Sequence, residues 1–266
     1  MTADGSRTGD IINAFGVSLG EPAIAVVGCG GAGSNIVHAM YWNSNRIDTV
    51  AVNTDEEHLR KVDAHKKVLI GKDVTFGKDA GGYPEIGEHC ADKARDVIRE
   101  ALRGYDIVFV VAGMGGGTGT GVAPVVASAA KEVNAVAFAI PIMPFEVEGA
   151  NRLRKANDGL AKLKEAAHHT VPLDNNKLMQ VASELTMSDA MKVIDRSVAK
   201  LVESVCSHTS SYVSTLMADV TGYIETVEEP TPMPPAEQPA QLIHAGLGTD
   251  FEEFEPDLYG PNGGFF

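Results

Sequence analysis

Residues 113–121 read GMGGGTGTG, and this stretch constrains the fold more than any other part of the chain. It follows the apolar run IVFVVA (107–112), which indicates a buried strand, and precedes VAPVVASAAKEV (122–133), which has helical spacing. Glycines let a ligand reach main-chain N–H groups, and a helix start adds unpaired donors and a positive dipole end. The loop therefore suits phosphate, with a flexible turn as the alternative. The lysine-bearing pattern G-x-x-x-x-G-K-[ST] occurs nowhere in the chain.

A second glycine loop, GCGGAGSN (28–35), follows a predicted strand at 23–28. Gly28, Gly30 and Gly33 satisfy G-x-G-x-x-G, and Asp55 follows near the end of the next predicted strand. This is the dinucleotide-binding pattern, so a nicotinamide-dependent enzyme of Rossmann type is one hypothesis. That hypothesis leaves the loop at 113–121 unexplained, because one pyrophosphate does not need a second, richer loop.

Strands and helices alternate from about residue 22. The predicted strands cover 23–28, 47–53, 67–71, 106–111, 135–141 and 169–173, and the predicted helices cover 33–43, 85–103, 121–133, 149–167 and 176–184. This alternation predicts an α/β fold, a doubly wound and mostly parallel sheet with helices on both faces and ligands at the carboxyl ends of the strands. A long central helix at 187–208 presents an apolar stripe formed by Met191, Ile194, Val198, Leu201, Val202 and Val205.

The negative charge of the chain is concentrated near its end. Residues 222–266 hold nine Asp or Glu and no Lys or Arg, and so carry −9 of the formal net charge of −14. No basic stripe in the remainder points to nucleic acid. Five prolines at 228–239 predict an extended linker, and the acidic, aromatic stretch at 250–266 is either a solvated tail or a docking segment. We therefore predict a flexible arm at 1–20, a folded domain at 21–224, and a Pro-rich linker with a disordered tail at 225–266.

The remaining composition points to the cytoplasm. Cys29, Cys90 and Cys206 form neither a disulfide framework nor a cluster with metal-ligand spacing, so we expect no metal site made by the protein alone. No apolar stretch reaches the ~18 residues of a membrane span. The segment MTADGSRTGD also lacks the apolar core of a signal peptide.

Six motifs taken together resemble the GTP-binding domain of FtsZ, the prokaryotic relative of tubulin. They occur in the order GCGGAGSN, AVNTD (51–55), DAGGYPEIG (79–87), GMGGGTGTG, PFEVEG (144–149) with Arg152, and DNNKL (174–178). The resemblance covers about residues 21–224. It implies GTP or GDP as the ligand, with Mg²⁺ on the phosphates.

The resemblance also implies a role for each residue that matches the family motifs. The phosphates would lie beside Gly30, Gly31, Gly33 and Asn35 and would be surrounded by Gly115, Gly116, Gly117, Thr118 and Gly119. The site would be flanked by Asn53 and Asp55, and the γ-phosphate would lie near Ala80, Gly81 and Gly82. Glu148 would bind the ribose, Arg152 would lie near the sugar and base, and Asn175 would face guanine.

Three departures from the family pattern bear on function. Asp79 and Tyr83 stand where the family usually has glycine and asparagine, which adds bulk and a negative charge that repels a triphosphate unless the carboxylate faces solvent or shares a cation. Met191 stands where an acceptor for guanine is expected, so guanine preference would rest mainly on Asn175. Asp219 is the only acid kept of a pair that helps water attack the γ-phosphate of the neighbouring subunit, and we expect no counterpart of the family's second domain.

These features predict a cytoplasmic FtsZ-like protein that binds a guanine nucleotide and, alone, hydrolyses GTP slowly at most. It would act as a partner or regulator of a division cytoskeleton, with a full-length FtsZ or another copy of itself as the partner. Two alternatives stay open. One is a self-assembling cytoskeletal GTPase that uses a different subunit contact, and the other is the nicotinamide-dependent enzyme.

Overall fold

The computed structural model describes residues 22–42, 47–177, 189, 192–208 and 215. Its strands are β1 (Ile24–Cys29), β2 (Asp48–Asn53), β3 (Lys66–Leu69), β4 (Ile107–Gly113), β5 (Val136–Met143), β6 (His169–Thr170) and β7 (Leu173–Asp174). Its helices are α1 (Gly30–Tyr41), α2 (Glu56–Lys61), α3 (Lys72–Thr75), α4 (Pro84–Lys93), α5 (Arg95–Leu102), α6 (Thr118–Glu132) and α7 (Ala150–Ala166), with a 3₁₀ turn at Glu146–Glu148. Residues 192–208 form a further helix, α8.

The strands form one parallel sheet whose winding reverses at its centre. The strand order is β3-β2-β1-β4-β5-β6, and β7 also pairs with β5. The chain winds outward from β1 through β2 to β3, returns to the other side of β1 as β4, and then winds outward in the opposite direction. In parallel sheets of this kind ligands bind beyond the carboxyl ends of the strands at the point of reversal. Both glycine loops begin there, one after β1 and the other after β4.

Helices cover both faces of the sheet. Neighbouring residues of β1 point to opposite sides, so Val26 belongs to a core with Ile36 of α1 and Val198 of α8. Val27 belongs to the other core, which buries side chains of α4, α5, α6 and α7. Both valines are fully buried. The predicted doubly wound α/β fold is therefore confirmed, including the burial of Ile194, Val198 and Val202 on the predicted stripe.

The structure differs from the predicted element boundaries mainly at the helix starts. α1 and α6 begin at Gly30 and Thr118, three residues earlier than predicted. The first turn of a helix tolerates glycine, because its N–H groups have no partner within the helix. α2 has no predicted counterpart, although Asp55 caps it by accepting a hydrogen bond from His58 N at 2.9 Å. α3 and the break at Ala94 between α4 and α5 were likewise not predicted.

Several predictions fall on residues outside the described part of the chain. These are the arm at 1–20, most of the helix at 176–184, the beginning of the central helix with Met191, Asp219, and the linker and tail at 225–266. The predicted domain boundaries accordingly stay predictions. Among the residues that the structure does describe, no helix is long and apolar enough to cross a bilayer.

Glycines set the close approach of α4 to α6. A Cβ atom on Gly121 of α6 would collide with the carbonyl oxygen of Pro84 and would lie 2.5 Å from the nitrogen of Glu88, both in α4. A Cβ atom on Gly87 of α4 would lie 2.6 Å from the carbonyl oxygen of Gly117. The two helices therefore pack backbone against backbone, which fixes the start of α6 relative to the sheet.

Candidate functional site

A cavity of about 440 Å³ opens at the carboxyl ends of the strands. Its walls come from the ends of β1, β2, β4 and β5, from the segment after β7, and from α7. Twelve predicted site residues line it: Gly31, Asn53, Asp55, Ala80, Gly82, Gly116, Gly117, Thr118, Gly119, Glu148, Arg152 and Asn175. Residues far apart in sequence are thus brought together at the point where the winding reverses.

Five predicted site residues are described by the structure but do not line the cavity. Gly30 and Gly33 lie behind it, where a Cβ atom would come within 2.6 Å of Gly119 N and 2.5 Å of Val111 O, respectively. Gly115 donates its N–H to Thr120 Oγ1 at 2.8 Å, so that donor is already used. Asn35 and Gly81 are exposed. Direct ligand contact at these five positions, and at Met191 and Asp219, stays a prediction.

The cavity also has lining residues that the sequence analysis did not propose as site residues. They are Cys29, Ala32, His58, Asp79, Gly113, Met114, Ile142, Met143 and Pro144. Most of them adjoin the glycine loops or the end of β5, and the strand-end rule could have identified these. His58 lies one helical turn beyond the cap of α2, a helix that the sequence analysis missed, so no signal pointed to it.

Two helix N-termini meet at the cavity. The first turns of α1 and α6 both line it, and neither N-cap residue, Cys29 or Gly117, supplies a side-chain hydrogen bond. The two loops are in direct contact, since a Cβ atom on Gly119 would lie 3.2 Å from Cys29 O. First-turn N–H groups and the positive ends of two helix dipoles therefore point toward one space, which is an environment that favours an anion.

Only two of the described glycines are not required by the fold. At every other described glycine, a Cβ atom would come within 3.0 Å of a neighbouring atom, or the residue has a positive φ that side chains rarely adopt. At Gly116 nothing lies within 4 Å of the Cβ position, and at Gly31 the nearest atom is His58 Cε1 at 4.0 Å. Both residues line the cavity. Their lack of a side chain leaves backbone accessible to whatever occupies that space.

One wall of the cavity carries buried polar atoms without partners. Asn53 is 2% exposed, and its Oδ1 accepts a hydrogen bond from Asp55 N at 3.2 Å. Its Nδ2, and Nε2 of His58, are buried and have no hydrogen-bond partner among the residues that the structure describes. Ser34 Oγ and Thr170 Oγ1, whose residues do not line the cavity, are unpaired in the same way. An amide nitrogen can only donate, so any further partner of Asn53 Nδ2 has to be an acceptor.

A loop that we call the strap, residues 79–83, forms a second wall. Ala80 N donates to Thr118 Oγ1 at 3.3 Å, and that oxygen is also 2.8 Å from Thr54 Oγ1. Lys155 Nζ of α7 donates to Gly82 O at 2.6 Å. Asp79 is exposed, lines the cavity and accepts a hydrogen bond from Gly81 N at 2.6 Å, so the strap itself stabilises the negative charge of this carboxylate.

We expect Thr118→Val to loosen the strap, because valine keeps the shape of threonine but cannot bond to Ala80 or Thr54. The free energy of unfolding should fall by about 1–3 kcal/mol, since a buried N–H and a buried hydroxyl each lose a partner. Thr118→Ser keeps the hydroxyl and is the matched control. Urea unfolding of the two variants measures the difference, and equal stability would show that the hydroxyl does not hold the strap.

The remaining wall carries the charged pair Glu148 and Arg152 at one end and the buried amide of Asn175 at the other. Glu148 Oε1 accepts a hydrogen bond from Phe145 N at 2.8 Å, and its Oε2 lies 3.1 Å from Arg152 Nε. Asn175 follows β7 directly and is 4% exposed. Carboxylate and guanidinium groups suit sugar hydroxyls and ring edges, and a buried amide offers both a donor and an acceptor.

The cysteine of the lining is buried, and the carboxylates of the lining are hydrogen-bonded to backbone. Burial raises the pKa of the Cys29 thiol far above its usual range, so the thiol stays protonated and is a poor nucleophile. The lining carboxylates Asp55, Asp79 and Glu148 each accept a hydrogen bond from a backbone N–H. Within the described ranges no three His, Cys, Asp or Glu side chains lie close enough to hold a metal ion by themselves.

The chain matches the family model described as Tubulin/FtsZ family, GTPase domain, over residues 23–183. Among curated proteins it is 46% identical over 188 residues to cell division protein FtsZ 2 of Methanocaldococcus jannaschii, which covers 70% of this chain and 49% of that protein. It is 45% identical over 186 residues to cell division protein FtsZ 1 of Thermococcus kodakarensis, with 70% and 50% covered. The chain thus spans about half the length of these relatives.

Solved structures give the same result. The empty FtsZ dimer of M. jannaschii superposes with a TM-score of 0.69 at 38% identity, covering 74% of this chain and 58% of that chain. The GTPgS bound protofilament of CetZ2 from Haloferax volcanii superposes with a TM-score of 0.64 at 28% identity, covering 69% and 58%.

Proposed function

The chain belongs to the tubulin/FtsZ family through its GTPase domain, and from this membership we propose that its cavity binds a guanine nucleotide. The phosphates contact the first turns of α1 and α6, the ribose lies beside Glu148 and Arg152, and the base lies beside Asn175. This arrangement places negative charge at two helix N-termini and a hydrogen-bonding edge at a buried amide.

The observation that carries the proposal is the exposure of bare backbone at Gly31 and Gly116. Neither packing nor backbone conformation requires glycine at these two positions, yet both line one cavity. A phosphate that must reach main-chain N–H groups does require it. The match over residues 23–183 and the joint use of two loops favour this proposal over the nicotinamide-dependent alternative, which uses one glycine loop.

The cavity also fits a magnesium ion carried by the nucleotide. Mg²⁺ is usually held by phosphate oxygens, water and one or two carboxylates, so it does not need a cluster of protein ligands. Asp55 and Asp79 are carboxylates of the lining that would hold such an ion, and Asp79 is exposed. When bound, the ion would neutralise charge on the phosphates.

The content of the bound site is the direct test of the proposal. Protein purified under native conditions is denatured, and the released small molecules are separated by chromatography. We expect GDP or GTP in an amount comparable to the protein, and guanine nucleotide added to stripped protein should bind again. Release of NAD(H), or no binding of guanine nucleotide by stripped and folded protein, would contradict the proposal.

We further propose that this chain acts as a partner or regulator of a division cytoskeleton and hydrolyses GTP slowly when alone. Relatives carry the name cell division protein, and the CetZ2 structure is described as a protofilament. Of the acid pair that, by the family resemblance, positions water in the site of the neighbouring subunit, this chain keeps Asp219 alone. Phosphate would be held well while the attacking water is not.

The expected result is therefore tight nucleotide binding with a low GTP turnover per molecule that does not change with protein concentration. Phosphate release measured with Mg²⁺ over a wide concentration range, together with light scattering, tests this. If the rate per molecule rises steeply above a critical concentration along with GTP-dependent scattering, and Asp219→Ala removes both, the self-assembling GTPase is the correct description.

A further inference from the structure

His58 is the polar residue of the cavity that the family motifs do not account for. It lies in the first turns of α2, where its backbone N–H donates to the capping carboxylate of Asp55 at 2.9 Å. This bond caps the start of the helix. The Cε1 of His58 is the nearest atom, at 4.0 Å, to the Cβ position that Gly31 leaves empty.

The imidazole has an unused ring nitrogen beside the cavity. His58 Nε2 is buried and has no hydrogen-bond partner among the described residues, although the residue lines the cavity. Because Nε2 has no exposed surface, the imidazole must turn for a ligand to reach it, and pairing in the occupied site would then offset the free energy that an unpaired buried nitrogen costs. The same wall holds the unpaired Nδ2 of Asn53, an obligate donor.

The other groups around this wall leave an anionic oxygen as the fitting partner. Asp55 points its carboxylate at the His58 N–H, and Asn53 uses its oxygen on Asp55 N. The charged groups lining the rest of the cavity are Asp79, Glu148 and Arg152. Asn53 Nδ2 and the first turn of α1 are donors, and His58 Nε2 joins them in the tautomer that carries its proton on that nitrogen.

We propose that His58 contacts the phosphates of the nucleotide and donates a hydrogen bond to them from Nε2. The proposal rests on the proposed nucleotide binding and adds a phosphate-binding residue outside the two glycine loops. It makes His58 specific for the charged part of the ligand. Its removal should weaken binding of nucleotides and leave binding of the bare nucleoside almost unchanged.

Two substitutions separate hydrogen bonding from packing. His58→Phe keeps a ring of similar size without a donor, whereas His58→Gln keeps a side-chain N–H. We expect GDP affinity, measured by titration calorimetry, to fall about 10- to 100-fold in His58→Phe, the range for a hydrogen bond to a charged group, and to stay within about 3-fold of the parent in His58→Gln. His89→Phe alters an exposed histidine of α4 outside the cavity lining and is the matched control.

Guanosine binding and histidine NMR complete the test. In competition experiments the affinity for guanosine should fall by less than about 2-fold in His58→Phe. Addition of GDP should shift the NMR resonance of His58 Nε2 in the parent protein. Thermal denaturation without ligand checks that the variants fold. Equal losses in His58→Phe and His58→Gln, equal losses for guanosine and GDP, or an unshifted resonance at saturating GDP would each overturn the inference.

The outcome also distinguishes this inference from the proposed function. If the parent protein binds GDP and His58→Phe binds it equally well, the proposed nucleotide site is supported and the role of His58 is contradicted. If the parent protein binds no guanine nucleotide, both fall together.

Discussion

Gly116→Val should abolish guanine-nucleotide binding while leaving the protein folded. The φ of Gly116 is compatible with a side chain, and nothing in the protein lies within 4 Å of the new Cβ atom, so the folded state accepts valine. The added methyl groups occupy cavity space beside the N-terminus of α6, where phosphate must approach the backbone. We expect affinity for GDP to fall about 100-fold or more, which corresponds to ~2.7 kcal/mol.

Calorimetry with GDP and thermal denaturation without ligand measure the two halves of this result. Gly116→Ala adds one carbon and should give a smaller loss, so the two variants form a graded pair. The melting temperature without ligand should stay within about 2 °C of the parent for both. Unchanged GDP affinity in a folded Gly116→Val protein would show that the phosphates do not bind at this loop.

Gly121→Ala should have the opposite outcome, although Gly121 belongs to the same glycine-rich stretch. The new Cβ atom would collide with Pro84 O and lie 2.5 Å from Glu88 N, and both are backbone atoms that cannot turn aside. α4 and α6 must separate to admit it. We expect the free energy of unfolding to fall by about 3 kcal/mol or more, and the melting temperature by about 6–12 °C for a domain of this size.

The sign of the effect makes this prediction decisive. Alanine in an unobstructed helix interior is more favourable than glycine by about 1 kcal/mol. A Gly121→Ala protein that is as stable as the parent, or more stable, would show that α4 and α6 do not pack at this distance. Urea unfolding followed by circular dichroism gives the free energy directly.

The sequence allowed the sheet and the location of the site to be predicted because both depend on local patterns. Apolar runs of β-branched residues that end at glycines identified β1 and β4, and the position of the two loops followed from the parallel topology. The same patterns could not divide the glycines by role. Gly116 and Gly121 look alike in sequence, and only the distance to α4 shows that one faces the cavity and the other faces a helix.

Other features could not be predicted from the sequence because they depend on tertiary contacts. α2 is six residues long, which is too short to give a periodic apolar signal, and its start is capped by the hydrogen bond that His58 N donates to Asp55. His58 could not be placed in the cavity without that helix. The hydroxyl of Thr118, expected to contact phosphate, also bonds to Thr54 and Ala80, which are distant in sequence.

The reversal of winding between β1 and β4 has a mechanical consequence. α1 begins on the half of the sheet built from β1, β2 and β3, whereas α6 begins on the half built from β4 and the strands beyond it. A ligand that contacts both first turns is a link between two halves that are otherwise joined along one pair of neighbouring strands and by their helices. Because such a ligand binds the folded state alone, it holds the halves together with a strength that rises with its own concentration. The concentration of such a ligand would then set not only how many sites are filled but also how stable the folded domain is.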